Sequence, residues 1–234
     1  MAARMTPAAR RARIVEAARA VVERQGLAAT TVRDIAAEMG TSAGLVHHYI
    51  DSMDGLLAEV FETVAREGID VTRGALAAAD GPLAQLDAFL DTALRPGHGS
   101  RFQLWLDAWA EAARRPELGA TSRRLNIEWQ RLLADVIEGG VAAGDFDCAD
   151  PDATSWRILS LLDGLVLQLV AHHITLDGDQ VRTWVARFAE HELALAAGVL
   201  DLVDRPAPPD PQSLHVLSPP SSDHHDRADR EVAS

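Results

Sequence analysis

Residues 30–57 read TTVRDIAAEMGTSAGLVHHYIDSMDGLL, and their spacing predicts two short helices split by a glycine turn. Val32, Ile35, Ala36 and Met39 recur at i, i+3, i+4 and i+7, which places them on one helix face. Thr30 or Thr31 can cap the start, and Gly40 follows the last apolar residue, where a positive-φ residue ends a helix most easily. Thr41 or Ser42 then offers a cap for a second helix, with Leu45, Val46 and Tyr49 on its packing side. Ala43, Gly44, His47 and His48 are left to face outward. Two helices joined by a tight glycine-containing turn make the helix-turn-helix unit, whose second helix enters the DNA major groove.

The flanks read as further helices. Ile14, Val15, Ala18, Val21 and Val22 form a stripe over residues 7–25 that ends at Gly26 and would brace the unit. Asp51 or Ser52 caps a fourth helix beginning at Met53, where Leu56, Leu57, Val60, Phe61 and Val64 repeat to about residue 79. Helices are expected at 82–94, 101–114 and 116–139, with the loop RPGHGS before the second and the glycines of GGVAAGDF ending the third. Asp150 and Pro151 start another, whose segment 158–170, ILSLLDGLVLQLV, is apolar on nearly every face and needs cover on more than one side. Gly178 and Asp179 precede a last helix that runs to about Leu202, carrying Val181, Trp184, Val185, Phe188, Leu193 and Leu195. Two terminal helices of this kind can form a four-helix bundle with a second copy, so a homodimer is expected. From Arg205 onward the chain is rich in Pro, Ser and Asp and reads as a disordered tail.

The fold is therefore expected to be all-α in three parts: a helix-turn-helix domain with a basic N-terminal arm over residues 1–51, a helical ligand-binding and dimerisation domain over 52–203, and the tail over 204–234. The chain has 234 residues and a net charge of −13, which at first opposes nucleic acid. The charge is segregated, with seven arginines against four acids in residues 1–50 and fifteen against 31 in the remainder. Arg4, Arg10, Arg11 and Arg13 precede the first acid and read either as a mobile arm along the DNA backbone or as a solvated terminus. All 22 basic residues are arginine, which can contact phosphate in pairs. No secretion signal and no apolar run approaching roughly 18 residues is evident, so a cytoplasmic protein without a membrane partner is expected. Cys148 is the only cysteine.

Over about residues 10–65 the chain resembles the tetracycline-repressor (TetR) family of bacterial regulators. GLAATTVRDIAAEMGTSAGLVHHYIDSMDGLL carries the bracing helix, the TT-capped helix, the turn, the short recognition helix and the linking helix of that family. WAEAARRPEL, EWQRLL, DFDCADP and LLDGL, within residues 101–170, are similar to its choline-regulator-like branch. The resemblance implies an all-helical homodimer on a double-stranded DNA operator, released when a small ligand binds among the middle helices. It further implies that Thr31, Ser42, His48 and Tyr49 contact phosphates and that Arg33, Ala43, Gly44 and His47 lie near base edges, with Thr41 in the same surface. Met53 stands where the family usually has a phosphate-contacting lysine.

Phe102, Trp105, Trp109 and Trp129 suit either core packing or an aromatic pocket for an ammonium group. Asp163, a carboxylate in an apolar stretch, needs an arginine partner, a helix-packing hydrogen bond or a ligand. If it converges with the tryptophans, a cationic amine is the natural effector. Adjacent helix positions point about 100° apart, so His47 and His48 cannot readily share a metal, and the pair His172 and His173 and the tail residues His215, His224 and His225 read as surface histidines. No HExxH, P-loop, GxSxG or GxGxxG pattern is present and no cofactor is called for, which excludes the common enzyme classes. The alternative to a regulator is a helical ligand-binding or scaffold protein without specific operator recognition, motivated by Met53 and the acidic total.

Overall fold

The computed structural model describes residues 5–94, 98–172 and 176–201. The expected tail over 204–234, Arg4 and His173 lie outside these residues. Within them the chain forms α1 (Pro7–Gln25), α2 (Val32–Glu38), α3 (Ala43–Tyr49), α4 (Met53–Ala78), α5 (Pro82–Leu94), α6 (His98–Glu111), α7 (Pro116–Ala143), α8 (Pro151–His172) and α9 (Gly178–Glu192), then a 3₁₀ turn over Val199–Asp201. No strand occurs among the described residues, and the fold is all-α.

Helix α1 starts at Pro7, with the Thr6 hydroxyl accepting from Ala9 N–H at 3.2 Å. Arg10, Arg11 and Arg13 therefore sit on its first turns and not on an arm before it. Arg11 donates to the Tyr49 carbonyl at 3.0 Å and pairs with Glu59, while Arg19 pairs with Glu67 at 2.5 Å. Both ion pairs join positions 48 apart, so α1 and α4 run parallel and in register. Their apolar faces meet in a core of Ile14, Val21, Leu27, Ile35, Val46, Leu57 and Phe61, extended by Leu104 of α6 and by Leu118 and Leu125 of α7. A second core joins α5, α7, α8 and α9 around Phe89, Leu133, Ile137, Ile158 and Val185.

Three helix ends differ from the sequence expectation, and for the ends of α7 and α9 the reason is tertiary. Helix α6 begins at His98, inside the stretch expected as a loop. Helix α7 passes through Gly139 and Gly140 to Ala143 and ends at Gly144, whose φ of +80° suits a glycine cap. It continues because Gly140 is the place where the Phe146 ring folds back: a Cβ at 140 would lie 2.1 Å from that ring. Helix α9 stops at Glu192 instead of about residue 202, because Glu190 turns the chain. The Glu190 carboxylate accepts from Gly198 N–H at 2.8 Å, Leu200 N–H at 3.0 Å and Arg187 at 3.0 Å. Burial pushes that carboxyl upward, but these donors outweigh it and hold it below the usual range.

Helix α8 buries only one stripe, Ile158, Leu159, Leu162 and Val166, while Leu161, Leu165, Leu167 and Leu169 stay half-exposed. By length and composition alone it could cross a membrane, with a mean hydropathy of 1.2, a candidate the sequence reading did not single out. It packs on α7 and α9, where Gln130 donates to Ser155 Oγ at 2.6 Å and Arg157 pairs with Glu192 at 2.5 Å. Between α5 and α9, buried Arg182 pairs with Asp87 and with Asp91, the latter at 2.9 Å.

Gly139→Ala and Gly140→Ala should have opposite effects. The first position is open and exposed, so alanine should stabilise by about 0.5–1 kcal/mol through helix propensity. The second forces the buried Phe146 ring to move and should destabilise by about 1–3 kcal/mol, read from paired urea melts.

Candidate functional site

The Thr31 hydroxyl accepts from Asp34 N–H at 3.3 Å, and the Asp34 carboxylate accepts from Thr31 N–H at 3.0 Å, a reciprocal capping box on α2. Thr31 also donates its hydroxyl proton to Asp34 at 2.5 Å, which holds that carboxyl below the usual range. Its proton is thus already spent within the cap. Ser42 caps α3 by accepting from Leu45 N–H at 3.3 Å, and its own proton has no acceptor among the described residues. Gly40, at φ +62°, makes the turn between them, and Thr41 N–H closes it on the Ala36 carbonyl at 2.9 Å.

Val46 is fully buried beneath α3, whereas Arg33, Ser42, Gly44, His47 and His48 are exposed. Ala43 and Thr41 are half-buried beside them. Tyr49 is half-buried as well, with its ring edge-on to His48 at 5.0 Å. The nine residues foreseen as the DNA-facing set therefore lie on α2, the turn and α3, with Thr31, Arg33, Ser42, His47 and His48 exposed and Thr41 and Tyr49 half-buried. Met53 points the other way and packs against the core at the start of α4.

The five residues nominated for a ligand line one cavity between α4, α6, α7 and α8: Phe102, Trp105, Trp109, Trp129 and Asp163. Its volume is about 70 Å³, space for roughly five water-sized groups. The rings form a continuous wall. Phe61 meets Trp105 edge-on at 4.9 Å, Trp105 lies 5.9 Å from Trp109, and Phe102 meets Trp109 edge-on at 6.0 Å. Trp129 packs on Phe89 at 5.6 Å on the opposite side.

Asp163 enters this wall from α8. Among the described residues it has neither the arginine partner nor the helix-packing hydrogen bond that its sequence context made the plain expectation. Burial alone pushes its carboxyl up to about 7. The sequence reading missed Phe61, Gly68 and Asn126, which also line the space. Phe61 was absorbed into the core stripe of α4, but an isolated glycine inside a helical pattern was a signal for Gly68. A Cβ added at Gly68 would meet nothing within 4 Å, so that glycine leaves room in the cavity.

Helix α6, which carries three of the rings, is also tied to the segment between α1 and α2. Asp107 accepts from Leu27 N–H at 3.2 Å and from Gln103 Nε2 at 2.9 Å. Gly26 is required there twice over, since its φ is +83° and a Cβ would sit 2.9 Å from the Asp107 carboxylate. Val64 and Leu104 separate the cavity from a polar cleft beneath this junction, lined in part by Arg19, Glu23 and Asp107. A second tie joins α4 to α7: Asp54 accepts from Glu117 N–H at 2.9 Å and Leu118 N–H at 3.2 Å, and Ser52 donates to Glu117 at 2.8 Å.

Residues 14–60 match the profile of the bacterial regulatory proteins of the tetR family, and residues 82–194 match that of the BetI-type transcriptional repressor, C-terminal domain. The HTH-type transcriptional regulator BetI of Cronobacter sakazakii is 28% identical over 203 residues, covering 80% of this chain and 93% of that protein. BetI of Paraburkholderia xenovorans is 31% identical over 167 residues, covering 68% of this chain and 80% of its own length. A solved transcriptional regulator from Saccharomonospora viridis, in complex with choline, superposes with a TM-score of 0.71 at 26% identity, covering 78% of this chain and 96% of that one. The chain belongs to the TetR family, as a DNA-binding transcriptional repressor with a BetI-type C-terminal half and not an enzyme.

Proposed function

We propose that the chain is a cytoplasmic homodimeric repressor whose operator affinity is lowered by a small cationic amine bound in the aromatic cavity. The observation that carries this reading is a half-buried carboxylate, Asp163, with no partner among the described residues, in a cavity walled mainly by aromatic and aliphatic groups. Ring faces attract ammonium groups, by about 2 kcal/mol or more when desolvated, and a carboxylate without a partner supplies the countercharge. The choline complex of the Saccharomonospora relative supports the same ligand class.

On this reading residues 1–51 form the DNA-binding head and residues 52–203 the sensing and pairing body. Ser42, His48 and Tyr49 grip phosphates, Thr31 contributes through its cap, and Arg33, Thr41, Ala43, Gly44 and His47 face the groove. The half-exposed leucines of α8 and the exposed Trp184 of α9 meet those of a second copy in a four-helix bundle. Two recognition helices must then match major grooves about 34–36 Å apart. A ligand drawing α6 and α8 together moves Asp107, and with it the Leu27 amide at the root of α2, so the heads lose that spacing.

The direct test is binding of the dimer to DNA upstream of its own gene, titrated with salt and then with choline. A salt-dependent preference over random DNA that choline weakens is the expected result, and no preference at any salt concentration would overturn the repressor reading.

Acid should blunt the response. Because burial raises the Asp163 carboxyl to about 7, a cation must displace a proton below that pH, and choline affinity should fall about tenfold per unit there. The same raised value makes the unliganded fold bind more protons than the unfolded chain between about pH 4 and 7, so this group removes stability as pH rises. Asp163→Asn should therefore melt higher than the parent at pH 8 and equally at pH 4, while losing choline affinity in calorimetry.

Asp107→Ala separates sensing from release. The variant should bind choline with near-parental affinity, yet choline should displace it from DNA far less well in an anisotropy competition.

A further inference from the structure

Apart from Asp163 and the indole N–H groups, the cavity has a single polar lining side chain, Asn126 of α7. Its amide carries two donors and an acceptor, and none of them is engaged among the described residues. This half-buried amide keeps contact with solvent while the cavity is open, and an occupant that excludes that water without meeting the amide leaves it unpaired at a cost. Asn126 and Asp163 reach the cavity from two different helices, α7 and α8, which Gln130 and Ser155 hold together at 2.6 Å. The cavity thus has two polar points of different kinds. One suits a positive charge, and the other suits a neutral group able to donate or accept a hydrogen bond.

We propose that Asn126 is a specificity-determining residue that reads a hydroxyl-like substituent on the ammonium effector, so that the cavity selects hydroxyalkylammonium compounds over alkylammonium compounds of the same size. The inference rests on the cation reading of the cavity given above. Both side chains line the same small cavity, so one compact ligand can meet both polar points. An alkyl chain in place of the hydroxyl would leave the Asn126 amide dry and unpaired, which is the larger part of the discrimination.

The test compares choline with propyltrimethylammonium, in which a methyl group replaces the hydroxyl at constant size, by calorimetry at pH 8. The parental dimer should bind choline about tenfold more tightly. In Asn126→Leu and Asn126→Ala the preference should vanish, while propyltrimethylammonium affinity is kept or improved, with circular dichroism melts verifying that each variant is folded. Equal affinities in the parental protein would overturn the proposal, as would a preference that survives in both variants. Failure of the parental protein to bind either cation would overturn the underlying cation reading as well, an outcome distinct from the first two.

Discussion

The start of α7 is capped from the first turn of α4, and the way the helix-turn-helix unit is set on the helices behind it depends on that contact. A helix start leaves backbone N–H groups without intrahelical partners. Here Asp54, in the first turn of α4, takes two of those on α7, while the carboxylate of Glu117 on α7 receives the Ser52 hydroxyl that caps α4. Helix α4 is closed by its own Ser52, which accepts from Gly55 N–H, whereas α7 has no side-chain cap of its own and takes its acceptor from α4. The pairing sets α4 and α7 side by side and parallel, a course then followed by the pairs Glu62 with Arg124 and Arg66 with Glu128. Because α4 contributes to both hydrophobic cores, a displacement at its cavity end reaches the head without crossing a flexible joint.

Much of this could be read from the sequence because the signals were local. The caps Ser42, Ser52 and Thr31 lie within three residues of the amides they bind, and the apolar periods of α1, α4 and α7 repeat over several turns. The cavity set emerged for a related reason: an acid amid leucines and clustered aromatic residues are conspicuous wherever they fall. What could not be read depends on partners distant in sequence or in space. Gly140 stays helical because a ring returns to it, α9 ends where Glu190 captures amides eight and ten residues onward, and Asn126 lines the cavity only because α7 packs beside α4 and α8.

The five cavity residues contribute to packing in different proportions. Trp105 and Trp129 belong to the cores and would be retained for packing alone. Asp163 has no such justification. An unpartnered carboxylate in an apolar wall works against the fold, and the same is true, more mildly, of an amide with no partner. The cavity is thus recognisable by the discomfort of its polar groups more than by its shape.

Gly68 adds a different kind of tension. It sits in the middle of a long helix where alanine would favour the helical backbone, yet the space its missing side chain leaves belongs to the cavity. Substitutions that firm the helix there also fill part of the cavity. Random drift and selection for robustness should therefore push this position one way and selection for sensing the other, so the residue at 68 is where a lineage could narrow or retune its chemical diet without altering a single DNA contact.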